Sequence, residues 1–413
     1  MAFRTHDTLS FMKQYNYIII GAGPSGLAFA HTLKQLGETS FLLIEKESVA
    51  GGLCRSAQVE GAPLDIGGGH FLDEKRRDVL DLLFSFLPRE DWKQYSRISK
   101  IKLHGAYVDY PLEANLWQLP IADQLDFLES IAEARFASNA STPQSFEDWI
   151  VWHFGKRVSR EYMLPYNRKI WSVDLSTLGT DWLYKLPDVS FRQTLQSCLE
   201  RQPYGKLPAH RTFLYPAHSG FGEVWRRMGE SLGDSLILSS AVTSVDIRSL
   251  VVNRTFKAKK KIINTIPWPL WPSFTDIPSA IGEQIKKLKW TSIDVDYYSE
   301  DLPTNAQWIY DPDENVPHHR LLCRNNFCQG SRGHWTETNS LRAKQQGQWH
   351  YRNIFAYPVS TIEKPRAVES ISDWAGCHHI VGLGRWGTWA HMNCDVAVSE
   401  ASDMARRLLE TPF

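Results

Sequence analysis

One stretch near the start limits what this chain can fold into more than any other. Residues 17–45 read YIIIGAGPSGLAFAHTLKQLGETSFLLIE. The apolar run Tyr17 to Ile20 has the length and composition of a buried parallel strand. Gly21, Gly23 and Gly26 follow in G-x-G-x-x-G spacing, and an amphipathic helix runs on through Leu36. A second apolar run, Phe41 to Ile44, ends on Glu45. The glycines do different things. Gly21 permits the tight turn, Gly23 lets a pyrophosphate approach the backbone, and Gly26 lets helix and strand pack closely. The helix start offers unpaired N–H groups and the positive end of its dipole to phosphate. Glu45 stands where a carboxylate accepts hydrogen bonds from an adenosine ribose. A lone glycine triplet is weak evidence. With the strand before it, the helix after it and the acid at the right distance, it marks a dinucleotide site.

The residues that follow narrow the choice of dinucleotide. KESVAGGLCRS brings Gly51, Gly52 and Arg55, and LDIGGGHF brings Gly68, Gly69 and His70. Paired glycines and an arginine shortly after the ribose acid resemble FAD proteins of the amine oxidase and glutathione reductase type. An NAD-only domain has no need of the second cluster. FAD is the expected cofactor, with Arg55 facing the pyrophosphate.

Composition sets bounds. The chain has 413 residues, room for two or three domains. Its 46 basic and 46 acidic residues balance, so no global field favours nucleic acid or an anionic membrane. The KAKKK run, Lys257 to Lys261, reads as a solvated strand end. The 6 cysteines are scattered without a C-x-x-C pair, so reduced thiols are expected and no metal site. His318-His319 and His378-His379 read as loop and strand residues. The first residues lack the apolar core of a signal peptide, and no run reaches membrane-span length. A cytoplasmic protein is the expectation. The 16 tryptophans suit an aromatic cleft and a tryptophan-rich core equally.

The expected fold class is α/β: a discontinuous Rossmann-type FAD-binding domain with an antiparallel β-sheet domain and a helical insertion. The FAD domain is expected in three pieces, 14–97, 209–280 and 366–413. The second includes strands in LILSSAVTSVDIR, SLVVNRTFKA and KKIINTIP. A hairpin of the substrate sheet occupies 98–112, turning at Gly105. Residues 113–208 are helical in period, punctuated by Pro165, and 281–365 alternate as an antiparallel sheet.

VDYPLEAN at 108–115 and LPYNRKIWSV at 164–173 resemble the UDP-galactopyranose mutases, a branch of the FAD-containing amine oxidase-like superfamily. So do WIYDPDENVPHHR at 308–320, AYPVST at 356–361 and GLGRWGTWAHMNCDVAVSEA at 382–401. The segments are co-linear and span most of the chain. The resemblance implies a mutase that interconverts pyranose and furanose forms of a nucleotide diphosphate sugar. Reduced flavin N5 would act as nucleophile at the anomeric carbon, without net redox change. It also implies an external reductant such as NAD(P)H, because the FAD is active when reduced. Residue by residue, His70 corresponds to the histidine beside the flavin ring. Tyr110, Tyr162, Asn167 and Trp171 fall in the nucleotide-binding part. Arg320, Tyr310 and Tyr357 correspond to diphosphate contacts, and a guanidinium fork suits that group chemically. Gly384 and Arg385 belong to the last FAD-contacting segment, and Val242 backbone to the adenine end.

Three departures stand out. Glu113 replaces an amide of the mutases; an ionised carboxylate only accepts hydrogen bonds, which suits the two donors of guanine better than uracil. Capping of the following helix or solvent exposure are its plain alternatives. The mobile-loop arginine has no clear equivalent, with Lys185 and Arg192 both available. His391 and Asn393 stand where the mutases carry tyrosine and aspartate; a histidine there suits proton transfer or a hydrogen bond to a sugar hydroxyl. The competing class is an FAD-dependent oxidoreductase of the amine oxidase or protoporphyrinogen oxidase type, whose cleft would be apolar.

Overall fold

The computed structural model describes residues 12–137, 141–183, 189–205 and 211–410. Strand Lys13–Ile20 lies at the centre of the first sheet, parallel to Phe41–Ile44 on one side and Phe256–Asn264 on the other. Leu236–Ile237 extends the sheet in parallel beyond Phe41–Ile44, and Ile380–Gly382 pairs in parallel with Phe256–Asn264. Val251–Val252 and Val245–Asp246 close that side antiparallel. Both faces are covered, as a parallel sheet requires. Tyr17 and Ile19 pack with helices Pro24–Gln35 and Cys394–Glu410, while Ile18 and Ile20 pack with Trp268, Trp271, Ile285 and helix Lys364–Cys377. Burying each such side chain contributes about 1.5–3 kcal/mol.

Helix Pro24–Gln35 starts where the sequence places it. Pro24 opens the first turn, no side chain caps the start, and Gly37 at φ +86 lets the chain leave. The expected strand LILSSAVTSVDIR is mostly absent: only Leu236–Ile237 and Val245–Asp246 pair. Between them the chain runs beside the loop that follows Phe41–Ile44, Ser239 N and Ser240 N donating to Glu47 O and Glu45 O, and Thr243 N and Ser244 N donate to Asn253 Oδ1. The Lys257–Lys261 run lies inside the nine-residue strand Phe256–Asn264 rather than at its edge.

The second large sheet runs in the order Trp349–Val359, Lys289–Tyr298, His334–Asn339, Arg320–Cys323, Trp308–Tyr310, Ser99–Leu103, Ala106–Asp109. It is antiparallel except where Trp308–Tyr310 runs parallel to Ser99–Leu103. The last two strands form a hairpin with Gly105 at φ +76 in the turn. Beyond the hairpin, helices Ile121–Ala137, Phe146–Val158, Leu164–Trp171 and Phe191–Glu200 pack around Phe127, Ile150 and Phe154. Gly155 at φ +77 bends the second of these, since a Cβ there would meet Ser130 O at 2.1 Å. Pro165 comes just after the wide π-helical turn Ser159–Met163, which leads without a break into Leu164–Trp171. A small sheet, Leu72–Asp73, Thr212–Pro216 and Trp92–Ser96, joins the two halves. Among the described residues no helix is long and apolar enough to cross a membrane. Among them, too, no cluster of His, Cys, Asp and Glu could hold a metal ion.

Candidate functional site: two cavities meeting at His70

The first cavity, about 530 Å³, opens along the carboxyl ends of the parallel strands. This is where ligands bind in open α/β sheets. Gly21, Gly23, Glu45, Gly52, Arg55, His70, Val242, Arg385 and Asn393 lie on its wall. The glycines act as expected of a cradle. A Cβ on Gly26 would stand 2.0 Å from Gly21 O, so nothing larger fits between turn and helix. A Cβ on Gly23 would meet only Gly52 Cα, at 3.9 Å, so these two glycines leave a bare backbone slot. Gly51 at φ +122 donates to Ala22 O at 2.8 Å and ties the second glycine cluster to the first. Gly384 at φ +70 packs against Ser25. Glu45 is buried, with Oε2 accepting from Ala22 N at 2.7 Å and Oε1 from Glu47 N at 3.0 Å. A carboxylate oxygen accepts more than one hydrogen bond, so both keep capacity for ribose hydroxyls. Arg55 donates to Gly52 O, Glu47 and Tyr351 OH. The glycine slot, the uncapped helix start and the buried Glu45 carboxylate together fit a dinucleotide of the FAD type.

The second cavity, about 200 Å³, lies behind the first. His70, Arg385, Asn393 and Cys394 line both. Its remaining wall includes Gly69, Arg97, Trp308, Tyr310, Arg320, Tyr357 and His391. Its lining is thus largely cationic, phenolic and polar, with apolar surface from Phe71, Leu322 and Trp308. His70 Nδ1 lies 3.0 Å from Gly68 O. A carbonyl only accepts, so Nδ1 carries the proton and Nε2 is left as an acceptor. Burial, and then the Arg385 charge, push its pKa down to about 3, so the imidazole is neutral at physiological pH. Arg385 donates to Met392 O and Ala356 O and lies over the Tyr357 ring. Arg320 bonds Glu337 through Nε and NH2 and lies 3.5 Å from Tyr357 OH. Burial works against its charge, but the Glu337 carboxylate prevails and holds its pKa well above the usual arginine value.

Trp171 is off the wall of this cavity, packed behind it with its ring 6.3 Å from those of Tyr357 and His391. Asn167 holds it in place: Oδ1 accepts from Trp171 Nε1 at 3.1 Å while Nδ2 donates to Met163 O. Tyr110 packs 5.0 Å from Tyr310. Burial first, then neighbouring phenols, raise the pKa values of Tyr110 and Tyr162, so both stay neutral. Glu113 is 8 % exposed, in the first turn of Leu112–Asn115, and its charge is felt by Tyr110 and Tyr162. It is therefore away from solvent, though not on the wall of either cavity. Arg192 is exposed on helix Phe191–Glu200 and also apart from both walls; Lys185 lies outside the described residues.

Two residues at the second cavity carry no signal in the sequence. Glu337 is buried; besides Arg320 it accepts from Gly69 N, and its carboxylate fills the space beside Gly68. Arg97 donates to Ser99 Oγ at 2.6 Å and Tyr310 OH at 3.0 Å, with its guanidinium over the rings of Tyr110 and Trp308. Neither sits in a local motif; only pairing across the sheet brings them to the site.

Comparison with known proteins agrees with this architecture. Residues 19–85 match the NAD(P)-binding Rossmann-like domain family. A solved structure of reduced UDP-galactopyranose mutase superposes with a TM-score of 0.86 at 22 % identity, covering 96 % of this chain and 95 % of the other. A putative protoporphyrinogen oxidase from Exiguobacterium sp. 255-15 gives 0.69 at 12 % identity, over 97 % of this chain and 99 % of the other. A redesigned putrescine oxidase gives 0.63 at 15 %, over 97 % and 100 %. The resemblance read from the sequence therefore holds at the level of the fold: this chain is a Rossmann-type α/β protein built like UDP-galactopyranose mutase.

Proposed function

We propose that this chain is an FAD-dependent mutase that interconverts pyranose and furanose forms of a nucleotide diphosphate sugar. The observation that carries the reading is the lining of the second cavity. Arg97, Arg320 and Arg385 converge there with Tyr310, Tyr357, His391 and Asn393, directly behind His70. Such a wall suits a diphosphate and sugar hydroxyls. It is a poor match for the apolar substrate of an amine or porphyrinogen oxidase, although those proteins share the fold.

Bound and reduced, FAD would supply the nucleophilic nitrogen for the anomeric carbon, and an external reductant such as NAD(P)H would set its redox state once. The protein's own residues then position the substrate and stabilise charge. Gly21, Gly23, Gly26, Gly51, Gly52, Glu45 and Arg55 hold the dinucleotide, with Val242 at its adenine end. Arg320, with Tyr310 and Tyr357, receives the negative charge that grows on the diphosphate as the sugar leaves. Arg320 is held in place by Glu337, which lowers the net charge of the site without removing the guanidinium fork. His70, neutral, acts as a hydrogen-bond acceptor at Nε2 beside the flavin. His391 and Asn393 serve the sugar, His391 moving a proton at the ring oxygen during opening and closing. Glu113, out of solvent near Tyr110 and Tyr162, recognises a base with two donors, which favours guanosine over uridine.

The test uses anaerobic, dithionite-reduced holoprotein and the uridine, guanosine, thymidine and cytidine diphosphate sugars, with products resolved by NMR. Conversion between ring forms with no reductant consumed per turnover is expected. Stoichiometric consumption of oxidant with an amine or apolar donor, and no ring conversion, overturns the reading. Tight UDP binding with no GDP binding overturns the base assignment alone.

A further inference from the structure

Helix Leu164–Trp171 carries a residue that neither cavity displays. Lys169 is 0 % exposed. Removing an ammonium from water costs several kcal/mol unless it is well partnered, so its partners show what it does. Nζ donates to Asp311 O at 2.8 Å and Asp313 O at 2.6 Å, and stands 4.0 Å from Asp311 Oδ1. Both carbonyls belong to the turn joining strand Trp308–Tyr310 to strand Arg320–Cys323. That turn leaves directly from Tyr310 and returns at Arg320, two residues of the second cavity's wall. Lys169 itself sits between Asn167 and Trp171, on a helix whose Trp171 ring packs against Tyr357 and His391 of that wall.

The charged groups around it form a closed set. Asp311 and Asp313 attract it from the turn, Lys102 faces it from strand Ser99–Leu103, and Arg342 from beyond strand His334–Asn339. His319 feels its charge from the turn, and His318 bonds Asp311 from there. Asp311 is buried; against that burial, His318 and Asp313 N–H, then Lys169 and Lys102, hold its pKa down to about 2. Burial brings Lys169 down to about 8, opposed by Asp311 and Asp313.

We propose that Lys169 is a positioning residue of the second cavity: it clamps the 311–319 turn to helix Leu164–Trp171 and so fixes Tyr310 and Arg320 opposite Trp171 and Tyr357. Its effect on ligand affinity rests on the reading of that cavity as a nucleoside diphosphate site; the clamp does not. A charge-assisted hydrogen bond is worth about 1.5–3 kcal/mol, roughly 10-fold or more in an equilibrium.

Two measurements on the cofactor-loaded full chain test it, using Lys169→Met. Hydrogen exchange over residues 311–319 needs no ligand. It should be roughly 10-fold faster in the variant at pH 7. After correction for intrinsic rates, it should also rise in the unsubstituted protein between pH 7 and 9, as the ammonium loses its proton. Calorimetric titration with UDP and GDP, with uridine and guanosine as controls, reads the consequence. Diphosphate affinity should fall roughly 10-fold in the variant and lose its decline between pH 7 and 9, while nucleoside affinity holds. Unchanged exchange in a folded variant, or diphosphate affinity equal to that of the unsubstituted protein, overturns the proposal. Faster exchange in the variant, with no diphosphate bound by the unsubstituted protein, upholds the clamp and overturns the reading of the cavity. Where Lys169→Met does not fold, Lys169→Gln takes its place, and exchange over residues 311–319 no faster than in the unsubstituted protein overturns the clamp.

Discussion

Asp65 gives the most quantitative test of how burial sets charge in this protein. It is fully buried below the second glycine cluster, where Ser56 Oγ donates at 2.6 Å, Tyr215 OH at 3.0 Å and Phe221 N at 3.2 Å. Those donors favour the carboxylate, yet burial outweighs them and lifts the pKa from 3.8 to about 7. One pKa unit corresponds to about 1.36 kcal/mol, so the displacement is worth roughly 4 kcal/mol. The sign follows from which state holds the proton. Between about pH 4 and pH 7 the folded chain keeps it and the unfolded chain has lost it, so this contribution is complete below pH 4 and disappears as pH rises through 7. Asp65→Asn removes the titration while leaving an acceptor for Phe221 N; the two hydroxyls can rotate to meet the amide. Urea unfolding of both proteins from pH 4 to 9 gives the difference in stability directly. That difference should fall by about 1.4 kcal/mol per pH unit across the window, to the disadvantage of the unsubstituted protein, and level off above pH 7. A difference that stays flat from pH 4 to 9 would refute the claim that burial dominates here.

Other expectations follow from single contacts. Gly26→Ala places a methyl group against Gly21 O and should cost about 1–3 kcal/mol and lower the flavin content of purified protein, read from its visible absorbance. Glu337→Gln keeps the shape but strips the countercharge from Arg320; thermal unfolding should report a loss of about 3 kcal/mol, and titration with a nucleoside diphosphate should report tighter binding. Among the cysteines, exposed Cys377 should react first with a thiol reagent, while Cys323 and Cys328, buried and on neither cavity wall, should react only on unfolding. Rapid labelling of Cys323 in the native protein would contradict its burial.

The βαβ unit is legible in the sequence because its determinants are local: Gly26 must be glycine for a reason contained within a single turn of chain, its contact with Gly21 O. The small cationic cavity is legible in part. Arg320 and Tyr357 can be named from their motifs, but the carboxylate that holds Arg320 cannot, because Glu337 faces it only through the register of two antiparallel strands and reaches Gly69 from 268 residues away. Lys169 and Arg97 are hidden for the same reason; a lysine in an amphipathic pattern reads as solvated until a turn closes over it. The tryptophans divide between the two readings left open. Trp225, Trp268, Trp271, Trp335 and Trp389 are fully buried, whereas Trp308 and Trp386 line the cavities. The 238–244 stretch reads as strand but does not pair as one, because β-branched residues also suit an extended segment whose hydrogen bonds go to a loop.

The first cavity takes its wall from Ile20 at one extreme and Ala397 at the other, with strand Phe256–Asn264 inserted beside strand Lys13–Ile20 only after the intervening chain has been made. During synthesis, therefore, the glycine turn and Glu45 exist long before anything can enclose a space between them and Cys394. The cavity is completed only by the last part of its wall, and the early βαβ unit must wait with an unpaired strand edge until residue 264 leaves the ribosome.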